Sequence, residues 1–94
     1  MTFIVDKKIY DTNKAELLAE GKRQYQESNV ILNCTIYPQY ETKLYKTEKG
    51  NYFFTYIAHY RNYIEVTDEE TAKSWLMYKN YPKYVELFGE LEEG

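Results

Sequence analysis

The sequence predicts an α+β domain: an antiparallel β-sheet with two C-terminal helices packed on one face. Three observations carry this reading. Two β-rich stretches, Tyr40 to Thr47 and Tyr52 to His59, flank Glu48-Lys49-Gly50-Asn51, where Gly50 takes a positive φ at low cost, as a four-residue hairpin loop requires. Thr67-Asp68-Glu69-Glu70 has the form of a capping box, and an apolar stripe of Ala72, Trp75 and Leu76 follows at helical spacing. Pro82 disfavours helical geometry at Tyr81 and can itself open a second short helix. Ninety-four residues is one core's worth of chain, so residues 1–94 read as a single domain, with an acidic tail from about residue 89.

Along the chain, Phe3-Ile4-Val5 and Ile9-Tyr10 are expected as short strands around the polar turn Asp6-Lys7-Lys8. Asp11-Thr12-Asn13 is a second break, because short polar side chains bond their own backbone there. Residues 15–20, Ala15 to Glu20, suit a helix by propensity and a strand by alternation. Strand is favoured, since the preceding hairpin needs a third partner for stability. Lys22 to Asn29 reads as a loop, and Val30 to Tyr37 as a strand ended by Pro38. In the second hairpin strand, Tyr52, Phe54, Tyr56, Ala58 and Tyr60 share one parity, while Phe53, Thr55, Ile57 and His59 share the other. Both faces are apolar, so this strand is central in its sheet or one face meets something outside the domain. Tyr63 to Val66 is a further strand after an Arg61-Asn62 turn. The helices are expected to bury Trp75, Leu76, Val85 and Phe88.

Charge limits the partners. Twelve basic and 15 acidic residues leave a net charge of −3, which argues against duplex nucleic acid, since phosphate binding needs a concentrated positive field. The acidity is C-terminal, with Asp68, Glu69, Glu70, Glu86, Glu90, Glu92 and Glu93 against three lysines after Val66. No apolar run approaches the roughly 20 residues that cross a bilayer, and MTFIVDKK does not read as a signal peptide. One cysteine, Cys34, cannot form an internal disulfide, so a reduced, cytoplasmic setting is expected.

Nothing in the sequence points to catalysis. His59 has no second histidine or cysteine near it for a metal site, and Asn33-Cys34-Thr35 matches no nucleophile signature. The four glycines are scattered and make no phosphate loop. No metal and no cofactor are expected, and an enzyme is disfavoured. The outlier is tyrosine, at 12 residues. One reading is codon bias: Tyr, Lys, Asn and Ile number 34, against 12 for Gly, Ala, Pro and Arg. The other is a contact surface, because Tyr gives large, stiff, amphipathic area at low entropic cost. On the second reading, Tyr56, Tyr60, Arg61 and Tyr63 are the candidate partner contacts, with Asp68, Glu69 and Glu70 as a second patch. Tyr78, Lys79, Tyr81, Lys83 and Tyr84 form another mixed cluster. Such sets can also act as stacking platforms for single-stranded nucleic acid, although the chain holds only two arginines. Self-association as a structural accessory factor is a third possibility, and the sequence leaves the oligomeric state open.

Several stretches together carry a resemblance: Lys8-Ile9-Tyr10-Asp11-Thr12, Ala15 to Glu20, Leu44-Tyr45-Lys46-Thr47 with Gly50-Asn51-Tyr52-Phe53-Phe54, then Thr67, Glu69, Glu70 and Ala72 with Trp75-Leu76, and Glu86-Leu87-Phe88-Gly89-Glu90. They resemble a family of small proteins carried on plasmids, conjugative elements and prophages of Firmicutes. Where that family has a Gly-rich stretch after the central hairpin, this chain reads Ile57-Ala58-His59-Tyr60-Arg61-Asn62-Tyr63. The resemblance implies no catalytic residues. It implies mobile-element cargo acting by stoichiometric binding, with a host defence protein or ribonucleoprotein complex as partner, in the manner of an anti-CRISPR inhibitor.

Overall fold

The computed structural model describes all residues, Met1–Gly94. Its centre is a four-stranded antiparallel sheet of β3 (Glu16–Gln24), β6 (Gln39–Lys46), β7 (Tyr52–Ala58) and β8 (Arg61–Thr67), in the spatial order β3-β6-β7-β8. Two small two-stranded sheets attach to it, β1 (Thr2–Val5) with β2 (Lys8–Asp11) and β4 (Glu27–Asn29) with β5 (Cys34–Ile36). Helices α1 (Glu69–Lys79) and α2 (Tyr81–Phe88) follow the last strand. The α+β architecture is therefore the expected one.

The β6–β7 hairpin is the expected one, with its loop widened by one residue to Thr47–Asn51; Gly50 has φ 87° and its amide donates to the Thr47 carbonyl at 2.9 Å. β7 is central, and the domain's own elements cover both of its faces over Tyr52 to Phe54, while Ile57 near its far end is exposed. One face carries Tyr52 and Phe54 into a core with Leu18, Ala19, Leu44, Ala72, Leu76 and Tyr84, supplied by the sheet and both helices. The other carries Phe53 into a smaller core with Tyr10 and Tyr45, closed by Phe3 and Val5 of the first hairpin. Phe53 stacks on Tyr45 at 5.1 Å and meets the Tyr10 ring edge-on at 5.4 Å. Phe53, Phe54, Leu44 and Leu76 are completely buried.

Several boundaries differ from expectation, each for a local reason. β3 does not add to the first hairpin; it pairs with β6. A bulge between Leu17 and Ala19 puts both Leu18 and Ala19 into the helix-side core, so strict alternation fails there. β3 also runs on through Gly21 to Gln24, and β4 follows, so Lys22 to Asn29 is mostly strand. Gly21 is extended at φ 158°, and a Cβ at this position would meet Lys79 Cδ at 3.4 Å. Val30-Ile31-Leu32 is a turn, held by the Leu32 amide donating to Asn29 Oδ1 at 2.9 Å, and only Cys34–Ile36 of the expected strand forms. The β7–β8 turn is His59-Tyr60, two residues earlier than Arg61-Asn62, which belong to β8. Both turn residues have positive φ, 51° and 64°, the conformation that a two-residue hairpin turn demands.

The α1 cap is also displaced by one residue. Asp68, not Thr67, is the N-cap, and its carboxylate accepts from the Thr71 amide at 2.8 Å. That bond at the helix start holds the Asp68 carboxyl below the ordinary carboxylate range. Asn80 then ends α1 and caps α2. Its Oδ1 accepts from the Lys83 amide at 3.4 Å, and its Nδ2 donates to the Leu18 carbonyl at 2.8 Å. One side chain thus joins two helices to the sheet. The buried residue of α2 is Tyr84; Phe88 packs partly against the core and Val85 is half-buried.

Candidate functional site

The helices cover only part of their sheet face. Beyond them, at the end of the sheet where β3, β6 and β7 carry Arg23, Tyr40 and Tyr56, the face is filled by tyrosines. Register explains the assembly: Tyr40 lies opposite Arg23, Thr42 opposite Tyr56, and Tyr56 opposite Tyr63. Tyr25 follows β3 and stacks on Tyr56 with ring centroids 4.0 Å apart. Tyr56 stacks on Tyr63 at 5.4 Å, and Tyr40 lies parallel to Tyr56 at 6.2 Å.

Each ring of this array has a polar anchor or an open side. The Tyr25 hydroxyl is buried against Thr42 Oγ1 at 2.8 Å. The Tyr40 hydroxyl donates to Glu27 Oε1 at 2.7 Å, and that bond to a carboxylate pushes the phenol up to about 12. Burial among the neighbouring rings also raises the Tyr56 phenol above its ordinary value. Arg23 joins the array to the core. Its guanidinium carbon lies 4.0 Å from the Phe54 ring centroid and 4.8 Å from that of Tyr25, and its Nη2 donates to Glu65 at 3.0 Å. Its Nη1 is buried without a hydrogen-bond acceptor, with those two ring faces beside the guanidinium.

Two hairpins join the array, β7–β8 through Tyr56 and Tyr63 and β4–β5 through Glu27 at its base. The β7–β8 tip presents Tyr60, fully exposed, with Arg61 exposed next to it. The β4–β5 tip presents Val30, Ile31 and Leu32, of which Ile31 is 95% exposed. His59 ties the β7–β8 turn to β6 and to the base of the β4–β5 hairpin, because its Nε2 lies 3.3 Å from both the Tyr40 hydroxyl and Glu27 Oε1. His59 thus reaches the array side of the sheet, opposite to its expected parity. These are its hydrogen-bond partners, and Cys34 stands exposed on β5.

Of the residues expected to contact a partner, Tyr56, Tyr60, Arg61 and Tyr63 come together at this end. Tyr56 is half-buried within the stack, Tyr63 is 37% exposed, and Tyr60 projects into solvent. Asp68, Glu69 and Glu70 are exposed at the start of α1, next to the other end of β8. Of the Tyr78–Tyr84 cluster only Tyr84 is buried, with Tyr81 stacked on it at 6.0 Å, while Tyr78 and Lys79 are exposed. Sequence reasoning missed Tyr25, Tyr40 and the aliphatic tip. Tyr25 and Tyr40 lay outside the chosen cluster, and Val30 to Leu32 mimicked a strand. The flanking Asn29 and Asn33 were the available turn signal, and Asn33 has φ 49°.

No group of three or more His, Cys, Asp and Glu side chains is placed to hold a metal ion, and no helix is long and apolar enough to cross a membrane. A basic groove of about 660 Å³ lies elsewhere, at the β6–β7 loop, where Lys7, Lys8, Lys14 and Lys49 face Asp11 and Glu48. Compared with known protein families, curated proteins and solved structures, the chain gives no match.

Proposed function

We propose that this chain is a non-enzymatic module that acts by stoichiometric binding to a protein, through the open end of its sheet. The target class is a host defence protein or ribonucleoprotein complex, which makes the chain an inhibitor of anti-CRISPR type carried on a phage or plasmid. One observation carries the binding reading: two hairpin tips hold bare anchors, Ile31 and Tyr60, and the domain also leaves part of a stacked tyrosine array in water. Free solvent gives no reason to hold three successive aliphatic side chains in water, whereas a partner pocket does. Aromatic anchors are the side chains that most often dominate such interfaces. The target class rests on the resemblance to mobile-element proteins.

The test is co-expression with CRISPR–Cas and restriction systems of Gram-positive hosts, read as phage plating efficiency, followed by size-exclusion chromatography with the affected complex. Expected is restored plating and a stoichiometric complex for the parent chain, both lost in Ile31→Asp and Tyr60→Ala. Unchanged plating across a broad set of defence systems overturns the target class. A complex that survives both substitutions overturns the choice of surface.

Single-stranded nucleic acid is the second reading, favoured by the ring stack next to Arg61. Against it, the four groove lysines sit at the opposite strand ends, by the β6–β7 loop, so cations and rings do not form one track. An oligonucleotide mobility shift that weakens with salt supports this reading, and no shift at low salt removes it.

A further inference from the structure

The two edges of the central sheet are built differently, and we infer that the β8 edge is a self-association site joining two copies of this chain into a continuous eight-stranded sheet. The inference is independent of the proposed function. Unpaired edges invite another strand unless they are blocked by bulges, charges or covering groups. The β3 edge has all three: a bulge at Leu17/Ala19, the Lys79 side chain over Gly21, and Asn80 bonded to the Leu18 carbonyl, with Glu16, Glu20 and Lys22 along it. The β8 edge, Arg61-Asn62-Tyr63-Ile64-Glu65-Val66-Thr67, has no bulge, no proline and no lysine.

Its register can be worked out. In a two-residue hairpin the residues that close the turn, Ala58 and Arg61, form a hydrogen-bonded pair, and pair types then alternate. Arg61, Tyr63, Glu65 and Thr67 therefore turn their amides toward β7. Asn62, Ile64 and Val66 turn theirs outward. An antiparallel two-fold centred on Tyr63 sets Asn62 of each copy opposite Ile64 of the other, where both can exchange backbone hydrogen bonds. The same register sets Tyr63 opposite Tyr63 and Arg61 opposite Glu65 of the second copy, all non-hydrogen-bonded pairs, whose side chains approach most closely.

The chemistry fits this pairing. Arg61 is exposed and makes no ion pair within the chain, while Glu65 gives Oε2 to Arg23 and leaves Oε1 for a second cation. The two-fold makes that ion pair twice. The ring stack Tyr25–Tyr56–Tyr63 ends at this edge with Tyr63 part-exposed, and the second copy's stack continues it. The same register lays the His59-Tyr60 turn of each copy alongside Val66 and Thr67, at the end of β8 in the other. An interface of this kind is isologous and closes at two copies.

The test is sedimentation equilibrium of the full chain over a concentration series, with amide exchange as the second measurement. Expected is a dimer whose Asn62, Ile64 and Val66 amides exchange more slowly as concentration rises. Asn62→Pro removes an outward amide and leaves the β7 pairing intact, so it is expected to be monomeric. Arg61→Glu sets like charges opposite each other twice and is expected to weaken the dimer about tenfold or more, with Arg61→Lys close to the parent. Parent chain that stays monomeric up to about 1 mM overturns the inference. A dimer that persists undiminished in both Asn62→Pro and Arg61→Glu also overturns it, since another surface must then hold the copies together. Retained Trp75 emission shows that each variant is folded.

Discussion

The covered and open ends of one sheet face use aromatic residues in opposite ways. Under the helices, Phe54 is sealed among Leu18, Leu44, Ala72 and Leu76, none of which offers a side-chain hydrogen bond. Two residues further along β7, Tyr56 lies among Tyr25, Tyr40 and Tyr63 with no helix above it. There the rings pack on each other, and hydroxyls find Thr42 and Glu27. A tyrosine can shield a neighbour with its face and still satisfy water or a carboxylate with its tip. A sheet end can therefore be filled without a lid, and its outer rings stay available to another molecule.

Breaking each end in turn sharpens the contrast. Leu76→Ala, in the sealed end, is expected to lose about 2–5 kcal/mol of stability in denaturant unfolding, because it opens a cavity under both helices. Tyr63→Ala, at the rim of the array, is expected to lose only about 0.5–1.5 kcal/mol, the worth of one aromatic pair. Equal losses would mean that the two ends share one cooperative core. Arg23 joins them, and Arg23→Ala is expected to cost about 1–3 kcal/mol, from the lost contacts with Phe54 and Tyr25 and from a Glu65 left unpaired. Arg23→Lys should recover little of this, since an ammonium cannot lie flat between two rings. Tyr25→Phe removes one buried hydrogen bond, to Thr42, and should cost about 1 kcal/mol.

Alkaline titration probes Tyr40 and Tyr56 of the open end. The folded Tyr40 phenol titrates near 12, above its unfolded value, so its contribution to stability is complete below pH 10 and is lost as pH rises through the folded value. Tyr56 shifts in the same direction. Absorbance of phenolate is expected to lag in the native protein, and Glu27→Gln should bring the Tyr40 titration back toward ordinary pH. The smallest stability change is expected for Ile31→Ser, within about 0.5 kcal/mol of the parent, because that side chain already stands in water. Its expected effect is on partner capture, measured in the same preparations.

The sequence carried the fold further than the site. The β6–β7 hairpin was legible because Gly50 and its neighbours have one economical conformation, and α1 because its cap and stripe coincide. The β3 bulge was not, since it depends on how Leu18 meets Leu76 and Tyr84 from distant parts of the chain. The same limit applied to the tyrosines. Tyr10, Tyr25, Tyr45, Tyr52 and Tyr84 are buried, while Tyr37, Tyr60, Tyr63, Tyr78 and Tyr81 are exposed, and residue type alone could not sort them. Val30 to Leu32 misled for a related reason: apolar character signals burial only when something covers it, and nothing in this chain does.

Trp75 is the chain's one tryptophan, and it meets Phe54 edge-on at 5.4 Å, with Lys79 above its own ring. Its indole therefore watches the helices seat on the sheet, while the phenols of the array absorb and emit at shorter wavelengths. Seating of the roof can therefore be followed in a single cuvette through this one ring, with no dye attached.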